Sequence, residues 1–415
     1  MTAVSASSGT PSGPLDGIRV IEVASWMFVP SGGSVLVDWG ADVIKVEPMT
    51  GDPQRGLITS GLLPGGAGGV NFMVEQPHRG KRSIGLDLAN PDGHEALMKL
   101  VETADVFLTN YLPQVRRKLN IDVDDVRARN PSIVFARGSG AGPKGPDAER
   151  GGYDGASFWA RGGMGATMPE KADGWPPAQP TPAFGDVMGG LTTAGAIAAA
   201  LVKRERTGEP SVVDVSLLAT AMWQLSPMVI ASKLFGFSKI PQAGRGASSN
   251  PGVGTYRTSD ERYIALILLQ SDKHWSDFVR RLGKPEMATD PRFADSAARA
   301  ENSVECIALM DEAFESQPLS HWQQAFDGFE GVWSPFQTLD ELYDDPQVIA
   351  NGYLPSTTAG NGETIQLVAS PAQFDEVAVE VTRAPEHGEH TELLLMDLGY
   401  DWDEIAALKD SGAVL

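Results

Sequence analysis

Residues 15–48 begin Leu15-Asp16-Gly17-Ile18-Arg19-Val20-Ile21-Glu22 and end Trp39-Gly40-Ala41-Asp42-Val43-Ile44-Lys45-Val46-Glu47-Pro48. Residues 18–23 and 41–47 are short β-rich runs, and residues 30–39 between them are small and apolar, as a packed helix is. A strand, a crossover helix and a second strand form a βαβ unit, whose strands are parallel. The rhythm continues downstream. Residues 83–88 alternate apolar and polar side chains. Asn90-Pro91-Asp92 reads as a helix start, with Asn90 as cap and Pro91 in the first turn. Residues 105–109 and 132–137 read as strands and 123–129 as a short helix. The pattern predicts an α/β fold with a parallel, doubly wound, Rossmann-like sheet.

Residues 138–185 are dense in Gly and Pro yet carry Tyr153, Phe158, Trp159 and Trp175, so an ordered functional loop is expected there. Residues 187–206 read as a helix of small and apolar residues, 211–215 as a strand and 217–235 as another helix. A Gly-, Ser- and Pro-rich stretch at 236–254 marks a boundary. Beyond it, 254–269 reads as a hairpin turning at Ser259-Asp260-Glu261, with helices following. The expected layout is a disordered tail at 1–13 and a large domain built from 14–235 and 331–415. A smaller α+β domain with its linker occupies 236–330.

The 415 residues exceed one ordinary domain, and 42% hydrophobic with 21% charged residues is the balance of a soluble globular enzyme. A net charge of −21 argues against nucleic acid and anionic membranes as partners. No signal peptide and no membrane span are expected. The single cysteine, Cys306, excludes an internal disulfide and fits a reducing, cytoplasmic compartment. His387 and His390 are the only close histidine pair and lack a third ligand, so no metal site is expected.

A dinucleotide site is excluded because Ala24-Ser25-Trp26-Met27-Phe28-Val29-Pro30 stands where close approach of a pyrophosphate needs glycines. His78-Arg79-Gly80-Lys81-Arg82 is the strongest basic cluster in an acidic chain; it reads either as a solvated charge run or as a phosphate seat. In Pro182-Ala183-Phe184-Gly185-Asp186-Val187-Met188-Gly189-Gly190, Asp186 stands at a helix start among small residues. It reads as a helix cap or as a carboxylate kept ionised by the helix dipole and open to a large substrate.

Taken in order, the two halves of residues 15–48, Gly51-Asp52 with Arg55, Arg79-Gly80-Lys81-Arg82-Ser83-Ile84-Gly85, Gly151-Gly152-Tyr153-Asp154, the Asp186 segment and Gly388-Glu389-His390-Thr391 resemble the class III CoA-transferases. This family includes formyl-CoA transferase, carnitine CoA-transferase and α-methylacyl-CoA racemase. The resemblance implies a Rossmann-like large domain formed by both chain ends and an interlocked homodimer. It also implies transfer of CoA from an acyl-CoA to a free carboxylic acid, with Asp186 as nucleophile through an aspartyl-CoA thioester. Coenzyme A then enters as part of the substrate, with no tightly bound cofactor. Arg79, Lys81, Arg82 and Arg55 are carried over as CoA-binding residues; Tyr153, Met27, Phe28 and Trp159 are expected at the acyl group. His78, Leu112 and Met27 depart from the family pattern. Trp26, Met27, Phe28, Phe158 and Trp159 are bulky and point either to core packing or to a pocket for a bulky acyl group. The racemase carries a histidine where this chain has Tyr153, a poor base at neutral pH, which favours transfer over the alternative of an acyl-CoA racemase. A CoA-ester-binding protein without turnover is the second alternative.

Overall fold

The computed structural model describes residues 13–57, 69–169, 174–239, 244 and 248–415. The tail expected at 1–13 lies outside the described residues except for Gly13. Strands and helices alternate as β1 (Arg19–Val23), α1 (Phe28–Asp38), β2 (Asp42–Glu47), α2 (Phe72–His78), β3 (Arg82–Gly85), α3 (Pro91–Glu102), β4 (Val106–Thr109), α4 (Pro113–Lys118), α5 (Val123–Arg129), β5 (Val134–Ser139), α6 (Met164–Thr167), α7 (Phe184–Thr207), β6 (Val212–Ser216), α8 (Leu217–Gln224) and α9 (Ser226–Phe235). The six strands form one parallel sheet in the order β3-β2-β1-β4-β5-β6. Strand order reverses beside β1, which leaves a crevice outside the carboxyl ends of β1 and β4.

Both faces of the sheet are covered, which explains the continuous apolar runs. Val20, Val106, Leu108, Val134 and Ala136 face the layer of α1, α7 and α8. Their neighbours Ile21, Val23, Ile44, Val46, Phe107 and Phe135 face α3 and α5. Leu394, Leu395 and Ile405, from helices Thr391–Asp397 and Trp402–Asp410, complete that second layer. The chain divides into one unit of residues 1–240 with 347–415 and a second of residues 241–346.

The second unit pairs β7 (Val253–Arg257), β8 (Tyr263–Ile267) and β9 (Trp333–Pro335) in an antiparallel sheet over an aromatic core of Trp275, Phe278, Phe314, Trp322 and Phe326. The limit expected at 330/331 moves to 346/347, because β9 adds to β8 through its backbone. Cys306 is buried in this core, and burial pushes its thiol up to about 12.

Three elements of the fold differ from expectation. The helix expected over 217–235 is two helices, since Pro227 lies in the first turn of α9, where a missing N–H is harmless. Both α2 and α4 lack a sequence signature: they have 7 and 6 residues, too few for a clear period, and Pro77 sits inside α2. Helix α7 is long and apolar enough to cross a membrane by length and composition. In this fold it is a core helix, with Thr193, Ala194, Ile197 and Leu201 buried.

Glycines set how closely α7 meets α1. A Cβ on Gly190 would stand 2.8 Å from the Gly32 nitrogen and the Phe28 oxygen, both backbone atoms that cannot swing aside. A Cβ on Gly189 would meet the Phe28 ring at 2.4 Å, and one on Gly185 the Phe158 ring at 2.1 Å. The small residues around Asp186 therefore admit a helix and two rings rather than substrate bulk, contrary to the expectation. Gly190→Ala is predicted to destabilise the protein by about 1–3 kcal/mol through overpacking. Gly195→Ala, on the same helix with open space around it, should stabilise by up to about 1 kcal/mol. Denaturant midpoints measure both; shifts of the same sign would refute the α1–α7 packing.

Candidate active site

Seven stretches converge on a cavity of about 370 Å³: the turn after β1, Pro53, the residues following β4, the end of β5, the loop at 151–153, the start of α7 and the start of α8. Ser25, Trp26, Phe28, Asn110, Tyr111, Ser139, Tyr153, Asp186 and Leu217 are among its walls. The cavity thus opens at the switch in strand order.

Asp186 is the third residue of α7 and not its cap. The helix starts from Ala183, held in the left-handed region at φ 59°. Asp154 performs the capping from a distance: its carboxylate accepts the Gly185 N–H at 3.0 Å. The Asp186 side chain is thereby left to the cavity, where it is the only carboxylate in the wall among the described residues. Burial foremost, and then the negative charge of Asp154, push the Asp186 carboxyl up to about 7. This corrects the expectation that the helix start keeps it ionised. A first-turn charge gains about 0.3–1 kcal/mol from the dipole, less than the roughly 1.4 kcal/mol of a single pKa unit, so desolvation wins. Burial raises buried Asp154 as well.

Of the residues expected at the acyl group, Tyr153 and Phe28 line this cavity, and Tyr153 is 65% exposed. Met27 does not. It is buried, and its carbonyl accepts the Ser31 hydroxyl at 2.6 Å inside α1. Trp159 is also buried; its indole N–H donates to the Pro177 carbonyl at 3.0 Å, and its ring packs edge-on to Phe184. Ser25 and Asn110 join the wall without a motif to mark them. The Ser25 N–H donates to Asn110 Oδ1 at 3.1 Å, and Asn110 Nδ2 returns a bond to the Ser25 carbonyl at 2.6 Å. A polar residue just past a central parallel strand was the available signal.

The basic cluster is the largest correction. Arg79 is buried against Asp38 in a two-pronged pair at 3.0 and 2.7 Å. Lys81 is completely buried, with Nζ 2.7 Å from Glu22 Oε2 and 2.8 Å from the Pro30 carbonyl, and burial draws it down to about 8. Arg82 grips Asp42 at 2.9 and 2.6 Å, and Arg55 grips Glu47 at 2.8 and 2.7 Å. These cations neutralise carboxylates of the fold: Arg79 and Lys81 are buried in their pairs and turned away from any phosphate, whereas Arg55 and Arg82 stay partly exposed. His78, fully buried beside them, is held far below its usual range by burial and by Lys45 and Lys81. His387 and His390 contact the Pro48 carbonyl and the Ser83 N–H.

The family model for CoA-transferase family III matches residues 15–391. The chain is 32% identical over 402 residues to the (R)-2-hydroxy-4-methylpentanoate CoA-transferase of Clostridioides difficile, covering 96% of this chain and 99% of that protein. It is 29% identical over 395 residues to the cinnamoyl-CoA:phenyllactate CoA-transferase of Clostridium sporogenes, covering 95% of each. The crystal structure of Rv3272 from Mycobacterium tuberculosis matches with a TM-score of 0.78 at 28% identity, over 93% of this chain and 99% of that one. With a parallel six-stranded α/β fold and a family match over nearly its whole length, the chain belongs to CoA-transferase family III and is a CoA-transferase.

Proposed function

We propose that Asp186 carries CoA covalently between an acyl-CoA thioester and a free carboxylic acid. The observation behind this reading is a lone carboxylate in the wall of a cavity at the switch point of the sheet. The Asp186 carboxylate attacks the thioester carbonyl; the C–S bond breaks, leaving a mixed anhydride and CoA thiolate. The thiolate attacks the aspartyl carbonyl, which releases the donor acid as its carboxylate and forms aspartyl-CoA. The acceptor carboxylate then attacks that thioester, and the returning thiolate takes the acceptor acyl group and frees Asp186. Each step exchanges one activated acyl bond for another, so no external energy source enters. Tyr153, exposed on the cavity wall, is suited to donate its hydroxyl proton in a hydrogen bond to an acyl oxygen.

Coenzyme A is a substrate in this scheme. A second cavity, of about 210 Å³, shares Asn110, Tyr111, Leu112, Gly138 and Ser139 with the first. Arg117, Arg137 and Arg150 line it and are further cations for the CoA phosphates, beside the buried Arg79 and Lys81 that cannot reach them. Arg117 is paired with Glu149 at the surface, where an exposed pair is worth little and exchanges readily for phosphate. The strand order supports a Rossmann-like reading of the larger unit. An interlocked homodimer is supported by the outer face of α8 and α9, where Trp223 is 81%, Leu234 71% and Phe235 78% exposed. A cytoplasmic setting is supported by one buried, unpaired cysteine. The racemase alternative is not favoured, and turnover separates an enzyme from a mere CoA-ester binder.

Asp186→Ala should reduce transfer by at least about 10³-fold while acyl-CoA binding survives. Incubation with acyl-CoA and hydroxylamine should modify Asp186 in the native protein; retained turnover in the variant would remove Asp186 from the mechanism. Because the attacking form is ionised, kcat/KM should rise as pH passes through about 7 and level off above it. Asp154→Asn keeps an oxygen for the Gly185 N–H but removes a like charge, so this rise should move to lower pH. A profile that stays in place would discount the coupling between the two carboxyls. Light scattering should return twice the 44.1 kDa chain mass; a monomer would contradict the dimer.

A further inference from the structure

Trp26 holds a backbone conformation that bulky side chains rarely adopt, at φ 69°. Two independent anchors enforce it. The Trp26 N–H donates to Asp52 Oδ1 at 3.2 Å, and Asp52 is itself fixed by Lys45 Nζ at 2.8 Å, both side chains being buried. On the other side, Asn110 grips the N–H and the carbonyl of Ser25. A bend so over-determined indicates that the position of the side chain matters. What the bend achieves is to stand the indole at the wall of the Asp186 cavity, edge-on to Tyr153 with ring centroids 5.7 Å apart and planes at 89°. Phe28 and Leu217 extend the same apolar wall. Among the described residues, no Lys, Arg or His lines that cavity. Arg117, Arg137 and Arg150 line the adjoining cavity assigned above to the CoA phosphates, so a second carboxylate placed at this wall would lose water without gaining a cation from it.

We infer that the Trp26–Tyr153 wall selects monocarboxylic acids with a bulky apolar substituent, and that Trp26 is a specificity-determining residue. This rests on Asp186 as the attacking group. The wall accepts an aryl or branched alkyl group by stacking and apolar contact. It rejects dicarboxylates electrostatically and leaves small acids unanchored.

The test is isotope exchange between each acyl-CoA and its own labelled acid, using the full-length protein with 3-phenylpropionate, acetate and glutarate. Wild type should exchange 3-phenylpropionate with a kcat/KM at least about 100-fold above the other two. Trp26→Gly suits the left-handed bend, so the backbone keeps its preferred conformation while the ring is lost. It should lower the aryl value by at least about 10-fold and change acetate by less than about threefold. Trp26→Phe should keep most of the aryl preference. Equal exchange of glutarate or acetate, or no exchange of 3-phenylpropionate, overturns the substrate class. An equal loss for all three acids in Trp26→Gly overturns the role of Trp26. Undiminished exchange of the aryl acid by Asp186→Ala would instead sink the nucleophile and leave the selectivity of the wall measurable.

Discussion

A completely buried ammonium and a buried carboxylate, Lys45 and Asp52, stand 2.8 Å apart at the carboxyl end of the sheet. Most of the site depends on this pair. Lys45 also donates to the Ala24 carbonyl at 2.9 Å and Asp52 accepts from the Trp26 N–H, so the pair ties the turn leaving β1 down at two points, while Asp52 also accepts from Gln54. Glu22 and Lys81 form a second buried pair next to it. Charges without water are tolerable only when fully partnered. Here the partners arrive from β1, β2, the residues after β2 and those after α2 together. Loss of one member would leave the others uncompensated, which makes this cluster a keystone for geometry more than a source of net stability.

Helix α7 carries Asp186 to the cavity wall and is aimed by packing. Its glycines let it lie close to α1, which brings the first turn up to the cavity. Because Asp154 satisfies the Gly185 N–H from another segment, Asp186 is released from capping. The same neighbour that frees Asp186 also raises its proton affinity. Near neutral pH the Asp186 carboxyl is thus poised between its acid and its anion.

The strands were legible because burial on both faces demands unbroken β-branched and apolar runs, and β1, β2, β4 and β5 fall within about two residues of the sequence reading. Asn90 and Pro91 marked the start of α3 because capping is local chemistry. Asp186, Tyr153 and Phe28, singled out through motif order, come together in one cavity wall. Met27 was not separable from Phe28: the two are adjacent, and only the start of α1 decides which one turns toward the cavity. The cluster at 78–82 misled because the sequence displays charges without their partners. Asp38, Asp42 and Glu22 lie 41, 40 and 59 residues from the cations they neutralise.

Sequence alone therefore determined the alternation of strands and helices and the parallel sheet, which periodicity and local rules encode, and the family, which motif order marks. Tertiary structure decided which cations are spent inside the fold, which aromatic rings face the cavity and how strongly Asp186 holds its proton. Those properties depend on distance and on exclusion of water between segments far apart in the chain, and neither quantity is written in residue order.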